Sequence, residues 1–165
     1  VTYSNPNIAS TSTSNSPVAM TTYQIQITPV YANSIIMVEY YIPVNNTSAG
    51  ACNVVMWIAG IRALDGQAWT RTGVTSGGTS GTAGSRFYGA GHNFRKLNGY
   101  DNNDNQAEHI RLYDQPNTTG EVNYSFEYFQ ETSNAGTTVF GGSNYNGTAW
   151  GFNGGVHINA WEIKQ

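Results

Sequence analysis

Ile110-Arg111-Leu112-Tyr113-Asp114-Gln115-Pro116-Asn117-Thr118-Thr119-Gly120, followed by Glu121-Val122-Asn123-Tyr124-Ser125-Phe126-Glu127-Tyr128-Phe129, is the stretch whose reading decides the fold class. In its second half Val122, Tyr124, Phe126 and Tyr128 fall on one face, with Glu121, Asn123, Ser125 and Glu127 on the other. Alternation of period two, rich in aromatic residues, predicts a half-buried antiparallel strand. Pro116 pre-sets φ, Asn117 offers a side chain that caps its own backbone, and Gly120 tolerates positive φ. The whole is expected to be strand, turn, strand: a hairpin.

Outward from this stretch, strand candidates follow one another with turn signals between them. Tyr23, Ile25 and Ile27 alternate with Gln24, Gln26 and Thr28 within 18–28, and 29–33 turns the chain. Residues 34–42 and 51–61 are apolar on both faces, as central strands covered on each side would be. Asp65-Gly66 is a short hairpin signal. From 73 to 91 the chain is rich in Gly, Ser and Thr and is expected to be mostly loop. Short strands are expected within 86–97 and at 137–140, with an aromatic loop over 141–155 and a closing strand over 156–163. About nine or ten strands at this spacing predict an all-β antiparallel jelly-roll sandwich, one domain over residues 1–165. If strand direction simply alternates, both termini share one end. The opposite end then collects the loops 5–16, 43–51, 72–85, 115–120 and 141–155. The doubly apolar strands, Ile35 to Ile42 and Val54 to Ile61, exceed what a lone thin sandwich needs, so a symmetric homotrimer is expected.

Only 10% of the 165 residues are charged, against roughly 25% in an average soluble protein, and the formal net charge is −3. With no basic run, neither nucleic acid nor an anionic lipid surface is an expected partner. No apolar stretch approaches the roughly 20 residues that would span a bilayer, so no membrane insertion is expected. The chain opens directly in a strand-like Val1-Thr2-Tyr3-Ser4, and the expectation is the C-terminal part of a longer or processed chain. Cys52 is the sole cysteine, beside Val54 and Met56, and reads as a buried, inert thiol.

Chemistry-bearing motifs are sparse. There is no nucleophile elbow, phosphate-binding glycine loop or metalloprotease helix, so no enzymatic activity and no cofactor is expected. His92, His109 and His157 lie in separate elements without ligand spacing, and no metal site is expected from them. Glu127 and Glu131 read as outward residues of a strand and Asp65 and Asp114 as turn neighbours, rather than as a facing catalytic pair of carboxylates. Asp101, Asn103 and Asp104 are weak calcium candidates; the cluster lacks the Gly and terminal Glu of a calcium loop. The loop over 141–155 is more suggestive. Flat aromatic faces beside Asn and Ser suit a sugar ring, which makes Tyr145, Asn146 and Trp150, with Asn117 from the expected neighbouring loop, the candidate ligand-binding residues. The simpler alternative is that Trp150 and Phe152 plug the end of the sandwich.

Five segments together carry a family resemblance: Val1-Thr2-Tyr3-Ser4, Ile25-Gln26-Ile27-Thr28-Pro29, Asn33-Ser34-Ile35-Ile36-Met37-Val38, Leu112-Tyr113-Asp114-Gln115-Pro116-Asn117-Thr118-Thr119 and Ile158-Asn159-Ala160-Trp161-Glu162-Ile163. In this order they resemble the jelly-roll domains of bacteriophage tail fibres and virion-surface appendages, which are similar to tumour-necrosis-factor-like jelly rolls. The resemblance implies a homotrimeric virion-surface protein without universal catalytic residues. Its implied role is that of a distal tail-fibre domain attaching to a host surface glycan or receptor. The alternatives are a capsid decoration, cement or head-fibre protein gripping capsid subunits, and a carbohydrate-binding module of a secreted protein.

Overall fold

The computed structural model describes residues 2–5, 9–11, 18–46, 52–72, 92–99, 106–130, 138–141 and 155–164, and every regular element among them is a strand. In chain order these are β1 (Thr2–Asn5), β2 (Ala9–Thr11), β3 (Val18–Ala19), β4 (Ile25–Ile27), β5 (Ile35–Asn46) and β6 (Cys52–Leu64). They continue as β7 (Thr70–Arg71), β8 (His92–Gly99), β9 (Gln106–Asp114), β10 (Val122–Gln130), β11 (Thr138–Phe140) and β12 (Val156–Ile163). The first sheet holds β1, β2, β5, β9, β11 and β12, and the second holds β3, β4, β6, β7, β8 and β10.

Register shows that several of these segments are one strand interrupted. Both β12 and β11 pair with β5, and where β5 steps only from Tyr41 to Val44, its partner moves from His157 back to Phe140. The residues between Phe140 and His157 are therefore an excursion from a single strand, which the early strand β1 then β2 follows along its other side. In the second sheet β7 and β8 likewise continue one another along β6: Ile61 faces Arg71 and Ala59 faces His92. Joining the interrupted segments leaves a rolled ribbon. Its first strand pairs its last, β3 and β4 pair β10, β5 pairs β9, and β6 pairs β8. All pairings are antiparallel, and the result is a two-sheet sandwich of jelly-roll type.

Two expectations are corrected here. β9 and β10 are not a hairpin, since β9 pairs β5 in one sheet and β10 pairs β6 in the other. The segment 115–121 crosses from sheet to sheet, a step of about 10 Å that a tight turn does not make. It also lies at the end carrying the termini rather than opposite them. Counting β7 and β8 as separate alternating strands inserts a reversal that the register does not contain. Contacts at this end agree: Val30 and Tyr31 N–H donate to Glu162, Gln115 Nε2 donates to the Asn33 carbonyl, and Asp65 N–H donates to the Glu121 carbonyl. The left-handed backbone of this crossing belongs to Asn117 (φ 56°), not to Gly120, and the Asn117 amide caps the Gln115 carbonyl at 3.2 Å. The Asp65-Gly66 turn does join neighbours, with Gly66 at φ 67° between β6 and β7.

The alternation read in 122–128 is the core. Val122, Tyr124, Phe126 and Tyr128 are all buried and face Ile36, Val38, Tyr40, Ile42 and Val44 from the other sheet. Phe126 is the hub of the aromatic cluster: it stacks on Tyr23 at 5.9 Å and meets Phe140 edge-on at 5.5 Å and Tyr40 at 6.5 Å between ring centres. Burying one such side chain contributes about 1.5–3 kcal/mol. The Tyr40 hydroxyl donates to the Ser125 carbonyl at 2.9 Å, so a buried ring on one sheet is tied to the backbone of the other. Gly60 lies opposite Phe126 in register, where a Cβ would run into the Leu112 side chain and sit 2.9 Å from the Thr72 hydroxyl. Gly60→Val is expected to destabilise the fold by about 1–3 kcal/mol or more, read as a lower urea midpoint at unchanged slope.

Candidate functional site

Of the ligand-binding candidates, Tyr145, Asn146 and Trp150 lie outside the described residues, as do the calcium candidates Asp101, Asn103 and Asp104. The feet of the aromatic loop are described. Gly141 (φ 86°) and Gly155 (φ 67°) close it, Gly155 N–H donating to the Gly141 carbonyl at 2.9 Å and Gly141 N–H to the Pro43 carbonyl at 2.8 Å. Backbone at positive φ favours glycine, so both ends of the excursion are held by residues suited to leaving and rejoining a strand. Asn117 is exposed but does not share this end. The feet sit beside Pro43, whereas the crossing that bears Asn117 follows Asp114, which faces Ile36. Seven strand residues separate those levels, roughly 23 Å.

The other flagged groups are placed as follows. The Cys52 and His92 side chains and all of Glu131 fall outside the description, while Asp65 is exposed and Glu127 half-buried. Asp114 is not a solvated turn neighbour. It is 8% exposed, and its carboxylate accepts two 2.7 Å hydrogen bonds from Arg62 Nη1 and one of 2.8 Å from the Tyr124 hydroxyl. Asp114 sits on the first sheet and both donors on the second. The signal was in its phase, since the inward parity of Ile110 and Leu112 runs on to Asp114. Burial, reinforced by the Asp114 charge, pushes the Tyr124 hydroxyl well above its ordinary pKa, so it remains a donor at any physiological pH.

A surface that the sequence reading did not isolate lies on the outer face of the first sheet. Paired residues project to the same side, so each rung across β12, β5 and β9 is a row. Trp161, Met37 and Tyr113 form one such row, with Trp161 and Tyr113 40% and 53% exposed. Ile163 and Ile35 extend it toward the terminal end. The next row inward is polar: Asn159, Glu39 and Arg111. Beyond it lie His157, Tyr41 and His109, so two of the three histidines share a rung. Glu39 Oε1 accepts from Arg111 Nη2 at 2.6 Å and lies 2.9 Å from His109 Nε2. The Arg111 hydrogen bond, aided by His109, holds the Glu39 carboxyl below its ordinary range despite partial desolvation. Among the described residues no three His, Cys, Asp or Glu side chains gather as a metal site requires.

No family model and no curated protein matches the chain significantly. Among solved structures, the VP2 subviral particle of infectious bursal disease virus is similar at 13% identity and a TM-score of 0.39, over 99% of this chain and 41% of that one. The chain thus spans less than half the length of that protein. A likeness so distant leaves the function to be argued from the chain's own residues.

At the terminal end, Glu162 is held by its own partners. The buried Ser34 hydroxyl lies beside it without a well-formed hydrogen bond, and Val30 and Tyr31 N–H donate to it at 2.9 and 3.0 Å. Ser34 first, then these N–H groups, lower the carboxyl's pKa. A lowered carboxylate pKa stabilises the fold above its unfolded value, about 4.3, and that contribution is lost as pH falls through the folded value. Glu162→Gln is therefore expected to flatten the acid limb of a thermal-stability profile below about pH 4.3, measured at fixed ionic strength.

Proposed function

We propose that this chain is a non-enzymatic structural domain displayed on a virus particle, assembled as a homotrimer through the outer face of its first sheet. The observation that carries the assembly is a contrast between the two doubly apolar strands. On β6 the outward Ala59, Ile61 and Ala63 are buried within the chain itself, each at 7% exposure or less. On β5 the outward Ile35 and Met37 are only half-buried, and their neighbours Trp161, Ile163 and Tyr113 are open. Contiguous exposed apolar surface of this kind marks an interaction face. Sedimentation equilibrium is expected to give three times the 17.9 kDa chain mass, and Trp161→Glu with Met37→Glu a folded monomer. A wild-type monomer would remove the trimer and leave the sandwich standing.

The virion reading is supported by the order of the five resembling segments and by the jelly-roll pairing into which they fold. Two placements share this assembly: a decoration or head-fibre protein gripping capsid subunits, and the tip of a tail fibre attaching to a host glycan. Immunogold labelling of particles distinguishes them, gold on the head supporting decoration and gold on the fibre ends attachment. In the attachment reading Tyr145, Asn146 and Trp150 stack on and hydrogen-bond a sugar between the glycine feet, with Asn117 a separate contact at the other end. Three copies raise avidity by about 100-fold or more where geometry permits. Host-cell adsorption by the isolated trimer is then expected to fall in Tyr145→Ala and Asn146→Ala; unchanged adsorption in both would exclude this loop.

A further inference from the structure

We infer that the turn over 30–33 is the surface that receives the outer face of the first sheet: Val30 and Tyr31 of one copy seat on the Trp161, Met37 and Tyr113 row of the next. This contact rests on the assembly reading above and supplies the other half of its interface. A cyclic trimer is not built by pairing one patch with itself. Self-pairing is the geometry of a two-fold dimer, whereas a three-fold ring is heterologous, so each copy must offer a second surface that differs from the first. Among the described residues, the exposed large hydrophobic side chains are Val30, Tyr31, Tyr113, Trp161 and Ile163. Tyr113, Trp161 and Ile163 belong to the sheet face. Val30 and Tyr31, 69% and 45% exposed, belong to one turn, which leaves the core at the buried Pro29 and re-enters it at the buried Ser34.

The turn adjoins the face. Val30 and Tyr31 N–H donate to the Glu162 carboxylate at 2.9 and 3.0 Å, and Trp161 and Ile163 flank Glu162 in β12. Successive strand side chains point to opposite sides, so the turn is held on the inner side of this strand end while Trp161 and Ile163 project from its outer side. The two apolar surfaces are thus continuous around one corner of the sandwich. Surfaces that meet at a corner suit three copies about an axis, each rotated by a third of a turn from the last. Surfaces on opposite sides would instead continue into an open stack. The turn is also held before any contact is made. Ser34 N–H donates to the Tyr31 carbonyl at 3.1 Å, and Lys164 Nζ lies 4.7 Å over the Tyr31 ring. Groups already fixed lose little further freedom on association.

The test is sedimentation of the wild type, of a face variant (Trp161→Glu with Met37→Glu), of a turn variant (Val30→Ser with Tyr31→Ser) and of an equimolar mixture of the two variants. Circular dichroism confirms the fold of each. The turn variant keeps the backbone N–H groups that bind Glu162, and it is expected to lose at least about 100-fold in trimer association. In the mixture, the intact turn of the face variant meets the intact face of the turn variant once only. A heterodimer that grows no further is therefore expected at millimolar concentration. A turn variant that trimerises like the wild type would overturn this inference and leave the assembly intact. A mixture without heterodimer would overturn the seating of turn on face. A wild-type monomer or dimer would overturn the trimer and this inference together. Should the turn variant misfold, Val30→Ser alone carries the test, with an expected loss of about 10-fold.

Discussion

The two sheets are held in one relative register by polar groups inside an apolar sandwich. Hydrophobic burial is strong but non-directional, and by itself would allow the two inner faces to slide past each other. The Asp114 carboxylate removes that freedom, since it accepts from Arg62 and Tyr124 across the gap in three short hydrogen bonds. Tyr40 to the Ser125 carbonyl makes a second tie, and Tyr23 to the Phe140 carbonyl, at 3.4 Å, a third. Such a buried ion pair adds less net stability than its distances suggest, because both charges are desolvated. Its effect is on uniqueness: a displaced sheet would strand a buried carboxylate without donors. Arg62 keeps 24% of its side chain in solvent, so the desolvation is partial and falls mainly on Asp114.

The position of Asp114 also explains the crossing that follows it. β9 ends at this residue, and the chain leaves the first sheet through a buried Pro116 and a left-handed Asn117 before joining the second at Val122. The carboxylate thus anchors the last point on one sheet to Tyr124, two residues into the next. A crossing of this kind needs both ends fixed, because its backbone is not paired in a ladder.

Much of the fold was legible because periodicity reports burial directly. The buried alternation at 23–27 and 122–128, the Asp65-Gly66 turn and the closing strand all follow from residue phase. What phase alone does not report is which strand pairs with which. The segment after Asp114 has the turn residues of a hairpin and yet crosses between sheets, because the choice depends on the partner strands, which lie far away in the chain. Interrupted strands were illegible for the same reason. Thr70–Arg71 and His92–Gly99 are separated in sequence but continuous along β6, and only register exposes that. At the candidate surface, Trp161, Met37 and Tyr113 come from three distant segments, so no local motif announces their row.

The closure at Gly141 and Gly155 has a consequence for how this scaffold varies. Two hydrogen bonds at the feet complete the strand before and after the excursion, so the sheet's pairing makes no demand on what the intervening residues are or how many there are. Loop-closure entropy rises only slowly with length, roughly 0.6 kcal/mol per doubling. The sandwich therefore behaves as a frame with a socket in one of its strands: a change in the length spanned between the two feet costs little closure entropy, and the aromatic core and its cross-sheet ties are built from residues outside that span.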